Sequence, residues 1–143
     1  MANDLFLKSG NFVHQTLLKL TGGRIGWDVA KMPAVQLTTI GRKSGQPHTV
    51  MLTSPYQKGD AIVIVASKGG DEHHPAWFLN LRDNPEVEVA TKDHPKHKMT
   101  AHIATADERA ELWPLITDKY KNYADYQTKT KREIPLVLLN PLG

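Results

Sequence analysis

With 143 residues, 40% of them hydrophobic and 23% charged, the chain has the composition of one soluble globular domain, which excludes a disordered chain and leaves no room for a second core. It holds no cysteine, which rules out a disulfide scaffold, a thiolate zinc site, an iron–sulfur cluster and a cysteine nucleophile. Lysine and arginine number 18 against 15 aspartates and glutamates, so the formal charge is +3; that suits a small polyanionic ligand, but it is not the dense stripe of a dedicated nucleic-acid binder.

In chain order, the first expected element is a helix over Asn3 to Leu20, with Leu5, Phe12, Val13, Thr16, Leu17 and Leu20 on one face. Gly22 and Gly23 stop it, and an irregular stretch with Trp27 and Pro33 follows. From Val35 to Ile40 the period changes to two, the mark of a half-buried strand, and Thr49 to Tyr56 pairs with it across a Gly41–Pro47 turn. Lys58-Gly59-Asp60 is a second turn before the apolar strand Ala61 to Ala66. That run is far short of the roughly 20 residues a spanning helix requires.

After Gly69-Gly70, Pro75 opens a short helix through Leu81, closed by Asn84-Pro85. Val87 to Thr91 alternates, Asp93 to Lys96 turns, and Met99 to Ala104 alternates again. Thr105-Ala106-Asp107-Glu108 is a capping box that opens a second long helix to about Tyr123, which Pro114 is expected to kink or divide. The last strand runs from Ile134 to Leu139, before Asn140-Pro141. Strands joined by tight turns pair antiparallel, so the expected class is α+β with a small barrel or curled sheet. Residues 1–33 would cap the barrel and residues 34–143 would form it.

Three constellations carry chemistry. Gly41-Arg42-Lys43-Ser44-Gly45 offers two cations, a hydroxyl and flanking glycines to a phosphate or carboxylate, although the same residues suit a solvated hairpin turn. Ala66-Ser67-Lys68-Gly69-Gly70 ends the most apolar strand ahead of a helix start; its glycines permit close approach to a flat ligand, or simply make a flexible loop. Tyr120, Tyr123 and Tyr126, three apart, line one face, either presenting phenols to a pocket or packing on the sheet.

Seven histidines, His73-His74 and His94-x-x-His97 among them, lack the spacing of a zinc motif, so no metal is expected. A GxSxG elbow and a GxGxxG fingerprint are absent too, which argues against serine hydrolysis and a Rossmann-bound nicotinamide. The N-terminus shows no basic segment ahead of an apolar core and cleavage site, and the expected compartment is the cytoplasm.

Four segments occur in a telling order. They are Leu37-Thr38-Thr39-Ile40-Gly41-Arg42-Lys43-Ser44-Gly45-Gln46-Pro47, then Ile62-Val63-Ile64-Val65-Ala66-Ser67-Lys68-Gly69-Gly70. Pro75-Ala76-Trp77-Phe78-Leu79-Asn80-Leu81 with Asn84-Pro85 follows, and the tail adds Tyr123, Asp125-Tyr126-Gln127, Arg132 and Ile134-Pro135-Leu136-Val137. Together they resemble the deazaflavin-dependent nitroreductase family, small split β-barrel oxidoreductases that use coenzyme F420. The resemblance covers about residues 34 to 141.

It implies hydride transfer from reduced F420 to a small electrophilic acceptor, whether a quinone, an unsaturated carbonyl or a nitroaromatic. Arg42, Lys43, Ser44 and Gly45 would meet the anionic part of the coenzyme, and the returning strand Thr49, Val50, Met51, Leu52, Thr53 and Ser54 would hold it. Val65, Ala66, Ser67 and Lys68 would line the ring edge, where backbone amides could stabilise developing charge. Ala76, Trp77, Phe78, Leu79 and Asn80 would contact the phosphate and its linker, with Tyr123 beside the coenzyme. Ser67, Tyr120 and Tyr126 match the substrate pocket; Tyr126 or Tyr123 could donate the proton that follows the hydride or orient the acceptor, and water could donate it as well. Alternatives are an FMN-binding split barrel and a non-catalytic cofactor-binding module. Nucleic acid is not an expected partner; the first helix could also lie on the inner face of a membrane, and the chain could be a monomer or a homodimer.

Overall fold

The computed structural model describes residues 28–29 and 32–142. The helix expected over Asn3 to Leu20 lies outside them, as does Trp27. The elements in order are β1 (Asp28–Val29), β2 (Met32–Ile40), β3 (Pro47–Thr53), β4 (Tyr56–Lys58), β5 (Ala61–Val65), a 3-10 turn (Lys68–Gly70), α1 (Ala76–Asp83), β6 (Glu86–Thr91), β7 (His94–Ile103), α2 (Ala106–Lys119), α3 (Lys121–Thr128) and β8 (Leu136–Pro141). All the strands pair antiparallel in one eight-stranded sheet of order β1-β2-β6-β7-β8-β5-β4, with β3 also on β2. This is the α+β curled sheet that the turn spacing implies.

Alternation along the strands divides the side chains between two cores. On the inner face Val35, Leu37, Ile64, Val87, Val89, Met99, Ala101, Val137 and Leu139 pack together, and α1 plugs the space with Trp77, Phe78 and Leu81. On the outer face Met32, Val63, Leu136 and Leu138 are covered by Leu112 and Ile116 of α2 and Tyr123 of α3.

Several boundaries differ from the sequence expectation, each for a local reason. The expected strand Thr49–Tyr56 is two strands, broken at Ser54-Pro55. There the Ser54 hydroxyl donates to the Val63 carbonyl at 2.7 Å, lies 2.9 Å from the Tyr56 carbonyl, and accepts from Gln57 Nε2 at 2.9 Å. The first half therefore pairs with β2 and the second with β5, which bends the sheet toward closure. The turn expected over Asp93–Lys96 is only Lys92-Asp93, and β7 starts at His94. Pro95, which has no N–H to give a ladder, is accommodated because the register shifts between Val89↔His97 and Thr91↔His94, a bulge of one extra residue on β7.

The capping box forms as expected: Glu108 N–H donates to Thr105 Oγ1 at 3.2 Å, and Thr105 N–H donates to Glu108 Oε1 at 2.8 Å. Pro114 does not divide the helix. It and Ala110, whose carbonyl it leaves without an i+4 donor, are both exposed, so that carbonyl is not buried without a partner. The break comes instead at Tyr120, whose φ of −126° and ψ of 89° separate α2 from α3. Finally, the terminal strand begins two residues later than expected and runs through Asn140 and Pro141, which pair with Thr100 and Met99.

Candidate functional site

The Gly41–Gln46 loop joins β2 to β3 as a tight turn. Gly41 N–H donates to Gln46 O at 2.8 Å, Gly45 N–H to Gly41 O at 2.9 Å, and Gly45 has a φ of 70°. Arg42, Lys43, Ser44 and Gly45 are all exposed. Buried Asn80 of α1 anchors them, because its carbonyl accepts from the Arg42 backbone N–H at 3.1 Å and from Arg42 Nη1 at 3.2 Å. The Asn80 amide in turn donates to Thr39 Oγ1 at 3.2 Å. One side chain thus ties strand, basic loop and helix together, an arrangement that can present fixed positive charge to an anion.

β3 leads away from this loop with two different faces. Val50 and Leu52 pack against the inner core, whereas Thr49 shares a 2.8 Å hydroxyl contact with Thr38 on the outer face. Met51 and Thr53 share the face of Thr49 by alternation. Thr53 hydrogen-bonds the Tyr123 phenol, and Tyr123 Oη donates to Met32 Sδ at 3.6 Å. Burial pushes the Tyr123 phenol above its ordinary pKa; Thr53 opposes the rise, while Tyr126 and Tyr120 add to it. Tyr123 therefore stays protonated. Tyr126 meets it edge-on with ring centroids 6.0 Å apart, and Tyr120, Tyr126 and Val65 pack against the same outer cluster. The three tyrosines and Val65 are thus brought together, next to the end of β3 remote from the basic loop.

The Ser67–Gly70 loop closes the third side. Lys68, Gly69 and Gly70 have φ values of 46°, 64° and 87°, a run that a residue with a Cβ seldom adopts. A Cβ on Gly70 would lie 2.7 Å from the Tyr126 carbonyl oxygen, so the loop can approach α3 only because that residue is glycine. Ser67 is buried. Inside the loop sits the Arg132 guanidinium: Nε donates to Asp71 O at 2.9 Å, Nη1 to Ala66 O at 3.1 Å, and Nη2 to Ser67 O at 2.9 Å. Nη1 also lies 3.1 Å from His74 Nδ1. An arginine only donates, so His74 is the neutral tautomer with its proton on Nε2. Burial, then Arg132 and Arg82, hold its pKa below 6.5.

The remaining expected site residues hold supporting positions. Trp77, Phe78 and Leu79 pack in or against the inner core, Ala76 is exposed at the start of α1, and the Ser54 hydroxyl is committed to the β3–β5 corner. His94 and His97 stack with centroids 3.7 Å apart at the β6–β7 turn, and both Nδ1 atoms face Pro95 O. Among the described residues no three His, Asp or Glu side chains gather as a metal ion would require, and no helix is long and apolar enough to cross a membrane. Arg132 and Gln127 stand in the sequence only as letters of a motif. Their partners lie in backbone carbonyls and in distant segments, so no local pattern announces their task.

Comparison with known proteins gives a consistent result. The family model for F420H2-dependent quinone reductases matches residues 12–141. An F420H2-dependent quinone reductase of Mycobacterium tuberculosis is 38% identical over 130 residues, covering 89% of this chain and 87% of its own length. Among solved structures, an F420H2-dependent reductase known as FDR-A is 39% identical with a TM-score of 0.63, over 76% of this chain and 94% of that one. Another, described as a domain-swapped dimer, is 36% identical with a TM-score of 0.65, over 93% and 99% respectively. The chain belongs to the F420H2-dependent quinone reductase family, oxidoreductases that take reduced coenzyme F420 as hydride donor.

Proposed function

We propose that this chain reduces a quinone with reduced F420 along the outer face of β3, the coenzyme's anionic tail at the basic loop and its ring at the tyrosine cluster. The observation that carries this reading is the polarity of that face. Exposed Arg42 and Lys43 stand at one end, and Tyr123, Tyr126 and Val65 gather at the other. Seven residues of β3 span about 20 Å at roughly 3.3 Å per residue, a length suited to an elongated ligand with charge at one end and a flat ring at the other.

Arg42, Lys43, Ser44 and Gly45 bind the tail, with exposed Ala76 at the start of α1 beside the phosphate and buried Asn80 holding the loop through Arg42. Thr49, Met51 and Thr53 line the strand face, while Val50, Leu52, Ser54, Trp77 and Phe78 support it from within. Val65 to Lys68 follow the ring edge, and Tyr123 fixes the ring from the opposite side. When bound, reduced F420 supplies the hydride from C5 of its deazaflavin. Conversion of a quinone to a hydroquinone takes one hydride and one proton, and the Tyr126 hydroxyl orients the acceptor carbonyl and delivers that proton, with Tyr120 and Ser67 completing the acceptor pocket. The domain-swapped relative supports a homodimer as the working unit.

The test is anaerobic oxidation of F420H2 by a soluble quinone, followed by the return of deazaflavin absorbance. Protein-dependent oxidation is expected, with Tyr126→Phe lowering turnover about tenfold while coenzyme affinity changes about twofold or less. No protein-dependent oxidation by any quinone would contradict the proposal, and equal rates for the two proteins would reduce Tyr126 to a packing residue.

A further inference from the structure

Arg132 lies outside every set of residues assigned above to coenzyme or acceptor, yet it governs the loop between them. Its guanidinium reaches three backbone carbonyls, those of Ala66, Ser67 and Asp71, together with the His74 ring. The Arg132 backbone is fixed in turn: its carbonyl accepts from Gln127 Nε2 at 2.7 Å and its N–H donates to Thr130 Oγ1 at 3.3 Å. Gln127 Oε1 accepts from Ile134 N–H at 2.9 Å and from Arg109 Nη2 at 3.1 Å, which locks α2, α3 and the approach to β8 around the same point.

The peptide bonds of this region are trans. When the carbonyls of Ala66 and Ser67 turn toward Arg132, the N–H groups of Ser67 and Lys68, on the same two peptide planes, turn to the opposite side of the loop. A lysine could not do this. Its single ammonium reaches one point on a flexible stem, whereas the planar fork meets carbonyls on both sides of the left-handed run at once.

We propose that Arg132 is a positioning residue for the coenzyme, setting the two peptide units so that the amides of Ser67 and Lys68 meet the carbonyl edge of the deazaflavin ring. This rests on the site reading given above. It assigns to the tail segment a task that lies wholly in orientation, since Arg132 itself touches neither coenzyme nor acceptor.

The experiment compares the wild-type protein with Arg132→Lys and Arg132→Gln, all as full chains. Coenzyme Kd is read by fluorescence titration, the visible absorption of the bound coenzyme is recorded, and quinone KM is measured separately. Both variants are expected to raise coenzyme Kd about ten- to hundredfold, as lost charge-assisted contacts imply, and to move the bound absorption maximum back toward that of free coenzyme. Quinone KM is expected to change about twofold or less in Arg132→Lys. Folded variants with wild-type Kd and spectrum would overturn the proposal and leave the quinone reductase reading standing.

A measurement on the wild-type protein is independent of whether the variants fold. The Ser67 and Lys68 amides should exchange with solvent about tenfold more slowly when F420 is bound. Unchanged exchange at both amides, with F420 bound, overturns the proposal; a wild-type protein that binds no F420 removes both the proposal and the reading beneath it.

Discussion

The Arg42–Gly45 loop is exposed along its length and anchored to the body of the protein through Asn80, whereas Ser67 and Gly70 are buried and their loop is gripped by Arg132 at three carbonyls. One loop offers charge, the other a fixed backbone. The difference matches what each end of a long cofactor requires. Capture of a polyanion works over roughly 8–10 Å in physiological salt and tolerates play in the side chains. Stabilising charge as it develops on a ring requires donors within hydrogen-bond distance that do not have to reorganise.

The largest effect should come from breaking the rigid loop. Gly70→Ala places a Cβ 2.7 Å from the Tyr126 carbonyl oxygen at a φ of 87°. The expected cost is about 1–3 kcal/mol in urea denaturation, with coenzyme affinity lost in parallel because the loop must pull away from α3. Wild-type stability would show that the loop is not tight against α3. A smaller and different effect is expected from the exposed loop. Arg42→Ala combined with Lys43→Ala should weaken coenzyme binding about tenfold at low salt, with that gap closing in about 1 M salt, and should cost about 1 kcal/mol or less of stability because the Arg42 backbone N–H still holds Asn80. A salt-independent loss would mean that the two residues act through structure rather than charge.

The smallest effect lies at the α2 cap, away from both loops, and sharpens the comparison by serving as a control. Glu108 accepts from Thr105 N–H and pairs with His102 Nε2 at 2.7 Å, which together hold its carboxyl below the ordinary glutamate value of 4.5. Its folded pKa is depressed, so the stabilisation is present above the unfolded pKa of 4.5 and is lost as pH falls through the lower folded value. Glu108→Gln should therefore flatten the acid limb of the stability profile while coenzyme binding at neutral pH stays as in the wild type. An unchanged acid limb would show that the cap contributes nothing measurable.

Regular alternation made Val35 to Ile40 and Val87 to Thr91 legible as strands, and an unbroken apolar run after a turn did the same for Ala61 to Val65. What pattern could not convey was tertiary compensation. Pro114 is harmless because it faces water, and Tyr120 breaks the helix although nothing in its side chain forbids helical geometry. Ser54 splits a strand because its hydroxyl finds carbonyls on a neighbouring one. The candidate site shows the same division. Arg42, Lys43, the glycines and the tyrosines announce themselves by residue type, and the ordered segments around them carry the family resemblance. Asn80 and Arg132 act through backbone atoms 38 and 65 residues away in the chain, and such pairings exist only once the fold has formed.

The most direct test of the central claim is a pair of fluorescence titrations of the wild-type protein, one with F420 and one with FMN, at low ionic strength. The prediction is micromolar F420 binding with FMN about tenfold weaker or more, because the basic loop and the length of β3 suit the longer, more anionic ligand. Tight FMN binding without F420 binding would contradict it.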